Sequence, residues 1–258
     1  MFSVESLYVL AKILKATYPE VCETLRNIEK PISSVELYKI LGLDECPKVV
    51  PYEEENLLIR EMDFNTTEKC YGLFVKNERW MTFTPKNFEQ LFEVYSHYNL
   101  AKGHCICTGL GFGLREKWLL SKKEVSKVTI IEKNIDVINY HKKINPDLID
   151  QIEVINCDAS EYKGQCDTLL LDHYESEPFL DLDGYFENVK KCSNNIIHDT
   201  MWFWPLETIL SRESYDFIHQ EYDLLKKQFP TLPDINEEQL NSYYDMFNFA
   251  NRFSWIIS

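Results

Sequence analysis

Cys105-Ile106-Cys107-Thr108-Gly109-Leu110-Gly111-Phe112-Gly113 decides how the rest of the chain is read. A short apolar run gives way to three glycines at every second position, followed by a helix-length spacer. Glycine has no Cβ, so a strand can turn sharply there and a ligand can come close to the backbone. Three further apolar runs, 128–132, 152–158 and 168–172, close on Glu132, Asp158 and Asp172. A fourth, 195–199, closes on Asp199 in the same manner. Strands that end in glycines or carboxylates, with helical spacers between them, describe the ligand edge of a doubly wound, mostly parallel α/β sheet.

Working outward, the pattern places strands at 104–108, 127–132, 153–156, 168–171 and 195–198, with helices near 114–121, 135–143 and 179–191. Ahead of the sheet, 71–75 and 79–83 flank Lys76-Asn77-Glu78 as a hairpin, and 57–62 is one more strand. Thr84-Pro85 opens a helix through Phe88, Leu91, Phe92 and Tyr95. Three shorter helices come first. Val4, Leu7, Tyr8, Leu10, Ala11 and Leu14 form one stripe, and Val21, Leu25 and Ile28 a second. Leu37, Ile40 and Leu41 form the third, capped by Ser33 and stopped by Gly42. The expected organisation is an N-terminal helical and β-hairpin element over 1–83, then the sheet domain over 84–258. Residues 206–244 read as helical, broken at Pro230 and Pro233, and 253–257 as a returning strand.

The 258 residues carry a formal charge of −15, which repels nucleic acid and anionic membranes. The three N-terminal helices are therefore read as a cover or a homodimer surface, not as a nucleic-acid reader. The same charge suits a cationic small substrate. Eight cysteines include no Cys-x-x-Cys pair, and no second Cys/His pair has zinc spacing, so the setting is reducing and no zinc is expected. Residues 1–10 lack a basic start, and no apolar run reaches membrane-spanning length. A soluble, cytoplasmic protein is expected.

The acidic strand ends suggest specific chemistry. Glu132, about twenty residues past the glycines, can accept both ribose hydroxyls of a nucleoside. Asp158 can accept from an adenine amine, with Cys157 and Ala159 beside the ring. Asp172 is the leading catalytic or substrate-binding group, and neighbouring His173 is the general base by type and titration range. Tyr174, Trp202 and Trp204 form an aromatic group able to attract a sulfonium or ammonium.

The series 106–113, Ile130-Ile131-Glu132, Cys157-Asp158-Ala159 and Leu170-Leu171-Asp172 resembles the ordered motifs of class I S-adenosylmethionine-dependent methyltransferases, over roughly 103–200. The resemblance implies a Rossmann-like fold and a cofactor pocket of Thr108, Gly109, Gly111, Gly113, Glu132, Lys133, Asp158, Ala159 and Asp172. The glycines would border the methionine end, Glu132 would hold the ribose and Asp158 the adenine. Cys107 is a departure, standing where many members carry an acid near the cofactor amino group. Spermidine synthases also lack that acid and carry a β element before the sheet, so decarboxylated S-adenosylmethionine is the alternative donor. Their second acid after strand four is displaced here, to Glu175. His198-Asp199-Thr200 is similar to a Mg²⁺-binding turn of some small-molecule methyltransferases. No metal is expected, and Asp172 with Asp199 would be the carboxylates to hold one. The acceptor is expected to be a small molecule or a protein. A non-catalytic adenosyl-binding protein of the same fold is the remaining reading.

Overall fold

The computed structural model describes residues 2–16, 19–42, 48–62, 70–83, 99–173, 181–204, 206–211, 217–242 and 244–245. Three helices lead: α1 (Val4–Ile13), α2 (Pro19–Arg26) and α3 (Ser34–Ile40). In α1 the stripe is narrower than its spacing implies. Leu7, Leu10, Ala11 and Leu14 are wholly buried, but Val4 and Tyr8 stay 38% and 49% exposed. A reciprocal capping box starts α3, with Glu36 N–H donating to Ser33 Oγ and Ser33 N–H to Glu36 Oε2. The three helices share one apolar cluster, and Trp118 from the sheet domain enters it. That indole fastens the N-terminal helices to the rest of the molecule.

Next comes an antiparallel sheet of β1 (Tyr52–Glu53), β2 (Leu57–Met62), β3 (Cys70–Val75) and β4 (Glu78–Phe83), in that order. The β3–β4 turn holds two residues, not three. Lys76 and Asn77 both have positive φ (50° and 68°), and this twist matches that of the flanking strands. Every residue of β3 is buried, because both faces are covered. Tyr71, Leu73 and Val75 join the main core, while Phe74 lies under the Arg60 guanidinium on the other face. The helix expected from Thr84 lies outside the described residues, as does the strand expected at 253–257.

The main sheet uses β5 (Gly103–Thr108), then α4 (Leu114–Ser121), β6 (Val125–Ile131), α5 (Ile135–Ile144), α6 (Pro146–Ile149) and β7 (Glu153–Ile155). After them come β8 (Gly164–Gln165), β9 (Thr168–Leu171), α7 (Leu182–Asn195), β10 (Ile196–Ile197) and β11 (Thr200–Phe203). Among the described residues its five strands are all parallel, in the order β7-β6-β5-β9-β11. By order of appearance this is 3-2-1-4-5, the Rossmann-like arrangement. Beyond it lie α8 (Leu206–Ser211) and α9 (Ile218–Gln228). Among the described residues, no helix is long and apolar enough to cross a membrane.

The fifth strand differs from the sequence reading. Residues 195–198 do not join the main sheet; Ile196 and Ile197 pair with β8 in a separate two-stranded ribbon, leaving Ile197 70% exposed. The true fifth strand is β11, where Met201, Trp202 and Phe203 are buried on both faces. Full burial calls for a continuous apolar run, and 201–203 supplies it. His198 and Asp199 therefore precede the last strand instead of closing it.

Candidate functional site

In an open parallel sheet the ligand crevice lies at the carboxyl ends of the strands, where strand order reverses. Here that point falls between β5 and β9. The glycine turn leaves β5, and Asp172 leaves β9 beside it. Gly109, Gly111 and Gly113 all have positive φ (75°, 47° and 76°), which L side chains rarely adopt. A Cβ on Gly109 would strike the Asp172 carbonyl oxygen, and one on Gly111 would stand 2.6 Å from Met81 Sδ in β4. The intervening Leu110 and Phe112 turn inward to the core, where Phe112 packs on Phe83 with ring centroids 5.3 Å apart. The alternation thus keeps backbone at the crevice and side chains in the core.

Glu132 follows β6 and is 5% exposed. Its Oε2 accepts the Leu110 N–H at 2.8 Å, and its Oε1 accepts the Asn134 N–H at 2.7 Å. Burial raises its pKa, while the two backbone donors pull the other way. Each oxygen keeps a lone pair that a ribose hydroxyl can use. Lys133 beside it sits over the Trp80 ring of β4 at 5.5 Å. Trp80 and Met81 therefore bring the antiparallel sheet against the crevice.

Asp158 is exposed beyond β7; its Oδ1 accepts the Ser160 N–H at 2.8 Å, and its bonds to Ser160 lower its pKa. Ala159 packs into the apolar core. Asp172 lies deep at the switch point, yet keeps 41% of its side-chain surface open. Thr108, wholly buried, links it to its neighbours. The Thr108 hydroxyl accepts the Asp172 N–H at 2.9 Å and meets His173 Nδ1 at 2.7 Å. His173 Nε2 reaches Asn188 Oδ1 at 3.0 Å. An amide oxygen only accepts, so the network assigns the proton to Nε2 and the lone pair of Nδ1 to the Thr108 hydroxyl. Burial lowers the His173 pKa, which favours this neutral form. Both ring nitrogens are engaged, Nδ1 with the Thr108 hydroxyl and Nε2 with Asn188 Oδ1.

Two groups escaped the sequence reading. Arg115 and Glu116, in the first turn of α4, are 4% and 1% exposed beneath the glycine turn. Arg115 Nη2 donates to Gly109 O at 2.6 Å and Thr108 O at 3.2 Å, and Nη1 lies 3.5 Å from Asp172 Oδ2. Their only signal is a charged pair directly after a glycine turn. The second group is His141 of α5, whose Nε2 lies 2.9 Å from Gly111 O. Asn145 Nδ2 donates to its Nδ1, and Asn145 also pairs with both backbone groups of Lys48. Burial pushes the His141 pKa down to about 4.

Other expected members do not assemble. Asp199 N–H donates to Asp167 O, at the start of β9, so Asp199 lies at the opposite end of that strand from Asp172. Four residues of strand lie between the Asp167 level and Asp172, a run of roughly 17 Å. The two carboxylates cannot share a metal ion, and His198 is bonded to Thr231 instead. Trp202 is wholly buried, which removes it from any aromatic lining. Trp204 donates its N–H to Leu171 O, next to the crevice. Tyr174 and Glu175 lie outside the described residues.

No family model matches the chain, and no curated protein matches its sequence. Solved structures similar to it include spermidine synthase from Thermotoga maritima, at 14% identity over 60% of this chain and 55% of that one, with a TM-score of 0.38. An S-adenosylmethionine-dependent methyltransferase from Clostridium acetobutylicum is 13% identical over 43% and 46%, with a TM-score of 0.32. Protein arginine methyltransferase 10 from Arabidopsis thaliana is 13% identical over 62% and 50%, with a TM-score of 0.34. The chain spans about half the length of each. The fold is Rossmann-like.

Proposed function

We propose that the chain is an S-adenosylmethionine-dependent group transferase, moving a methyl group to a small-molecule or protein acceptor. The observation that carries this reading is the convergence of the glycine turn, Glu132 and Asp172 at the switch point, with Glu132 bonded directly to the turn. The residues present suit an adenosyl ligand. Glu132 has lone pairs for the two ribose hydroxyls, Asp158 suits the adenine amine, and the glycine turn offers bare backbone to the tail. When bound, the sulfonium would supply an activated methyl group, with the carbon–sulfur electron pair passing to sulfur. Asp172, open to the crevice, would orient the acceptor and take its proton. Thr108 and His173 keep the Asp172 backbone in place. Catalysis on this reading is chiefly proximity and exclusion of water.

Titration calorimetry with S-adenosylmethionine and S-adenosylhomocysteine tests this directly. Micromolar binding by the wild type, lost in Glu132→Ala, is expected. Absence of binding by the wild type would overturn the reading.

A second reading, aminopropyl transfer from decarboxylated S-adenosylmethionine to a diamine, is favoured by Cys107. Its side chain is fully buried and burial pushes its pKa up, so β5 carries no acid at this position, as in the spermidine synthases that the motif series resembles. Putrescine and each donor, assayed for spermidine and methylthioadenosine, separate the two reactions. Release of methylthioadenosine with decarboxylated donor alone would replace the first reading by the second.

A further inference from the structure

Arg115 is buried without being fully satisfied. Adjacent residues on a helix do not face one another, yet Arg115 Nε and Nη2 both converge on Glu116 Oε1, at 2.9 and 2.6 Å. Nη2 also grips the carbonyls of Gly109 and Thr108. Nη1 is buried and makes no hydrogen bond among the described residues, and Asp172 Oδ2 stands 3.5 Å from it. That separation is an ion pair but too long for a hydrogen bond. Because the Asp172 N–H is held by Thr108, its carboxylate has freedom only about its side-chain torsions. A rotation that shortens the contact by under an ångström would make a charge-assisted bond.

We propose that Arg115 is the positioning residue of the crevice: it ties the glycine turn to Asp172 and keeps that carboxylate aimed at a cationic group of the ligand. This rests on the reading that Asp172 faces the transferred group. Among the described residues, the charges facing Asp172 are Arg115 and Glu116 from α4 and its neighbour His173, with Asp158 and Lys133 farther out around His173. His173 is held neutral by its own bonds. Arg115, Glu116 and Asp172 together therefore sum to one negative charge, which a sulfonium or ammonium beside Asp172 would neutralise. A ligand carboxylate at the same point would meet Asp172 first and be repelled. The arrangement selects for positive charge at the reacting end of the ligand: the low-dielectric setting raises the Asp172 pKa overall, and Arg115 is the leading group that opposes that rise.

The full chain, labelled with ¹³C at aspartate carboxyl carbons, provides the test, with the Asp172 signal assigned by its loss in Asp172→Asn. Arg115→Met should move the Asp172 titration to higher pH, and Glu116→Gln should move it lower by leaving the guanidinium to Asp172 alone. Arg115→Lys should restore much of the wild-type behaviour. In parallel, the preference for S-adenosylmethionine over S-adenosylhomocysteine, whose sulfur is uncharged, should fall about tenfold in Arg115→Met near neutral pH and recover as pH rises. An Asp172 titration unmoved by either variant, with both affinities lowered equally, would reduce Arg115 to a brace for the glycine turn and overturn the proposal. If Arg115→Met does not fold, Glu116→Gln alone decides by the direction of its shift. If the wild type binds neither ligand, the adenosyl reading fails, while the opposite shifts still support Arg115 as the residue that holds Asp172.

Discussion

Leu110 N–H donates to Glu132 Oε2 at 2.8 Å, so the carboxylate closing β6 braces the glycine turn that closes its neighbour β5. The same side chain accepts the Asn134 N–H and opens the turn into α5. Glu132 is thus structural before any ligand arrives.

Glu132→Ala strands two backbone donors in a buried setting. The expected cost is about 3 kcal/mol of unfolding free energy. Glu132→Gln retains one acceptor oxygen and should cost about half as much, while still losing the paired acceptors a ribose needs. Urea titration gives the stabilities, and calorimetry on the folded fraction gives the binding. Equal stability of the two variants would contradict the bracing role.

Gly109→Ala and Gly111→Ala should differ in kind. Both strain a positive φ, at roughly 1–2 kcal/mol. At Gly109 the added methyl also meets the Asp172 backbone carbonyl, whereas at Gly111 it meets the end of the Met81 side chain. Met81→Ala should therefore relieve part of the Gly111→Ala penalty and none of the Gly109→Ala penalty. A double-mutant cycle by thermal or urea unfolding reads the coupling directly.

His141 gives the fold a pH dependence with a definite sign. Its pKa falls from 6.5 unfolded to about 4 folded, because burial disfavours the imidazolium. Its stabilising contribution is complete above about pH 6.5 and is lost progressively as pH falls toward 4, by roughly 3 kcal/mol in all. His141→Gln can still donate to Gly111 O but cannot titrate. Its unfolding free energy should fall less steeply across that window than the wild type's. Parallel slopes for the two proteins would remove His141 as the source.

Asp199→Ala should leave adenosyl-ligand binding within about twofold, because Asp199 lies at the far end of β9 from Asp172. Asp172→Asn should weaken S-adenosylmethionine more than S-adenosylhomocysteine, since only the former carries a sulfonium for the carboxylate to meet. Added Mg²⁺ should change neither affinity. Calorimetry at fixed ionic strength checks all three.

The sequence alone determined the backbone of the site. Apolar runs and their terminators located β5, β6, β7 and β9 to within two residues, because alternation and breakers are local properties of the chain. It located α4 and β9 with the observed ends, and the glycine turn between β5 and α4 in register. Local pattern misled at 195–199, where an apolar pair before an acid imitated the earlier strand ends; only pairing in three dimensions assigned the fifth place to β11. The tertiary structure likewise decided what the charged groups do. Arg115 meets Asp172 across 57 residues of chain, and His141 meets Gly111 across 30. Nothing in the composition near Arg115 distinguishes a buried guanidinium from the exposed one expected after a helix start. Burial and partner choice are set by which strand ends the sheet places side by side, and that ordering exists only once β5, β6 and β9 have paired.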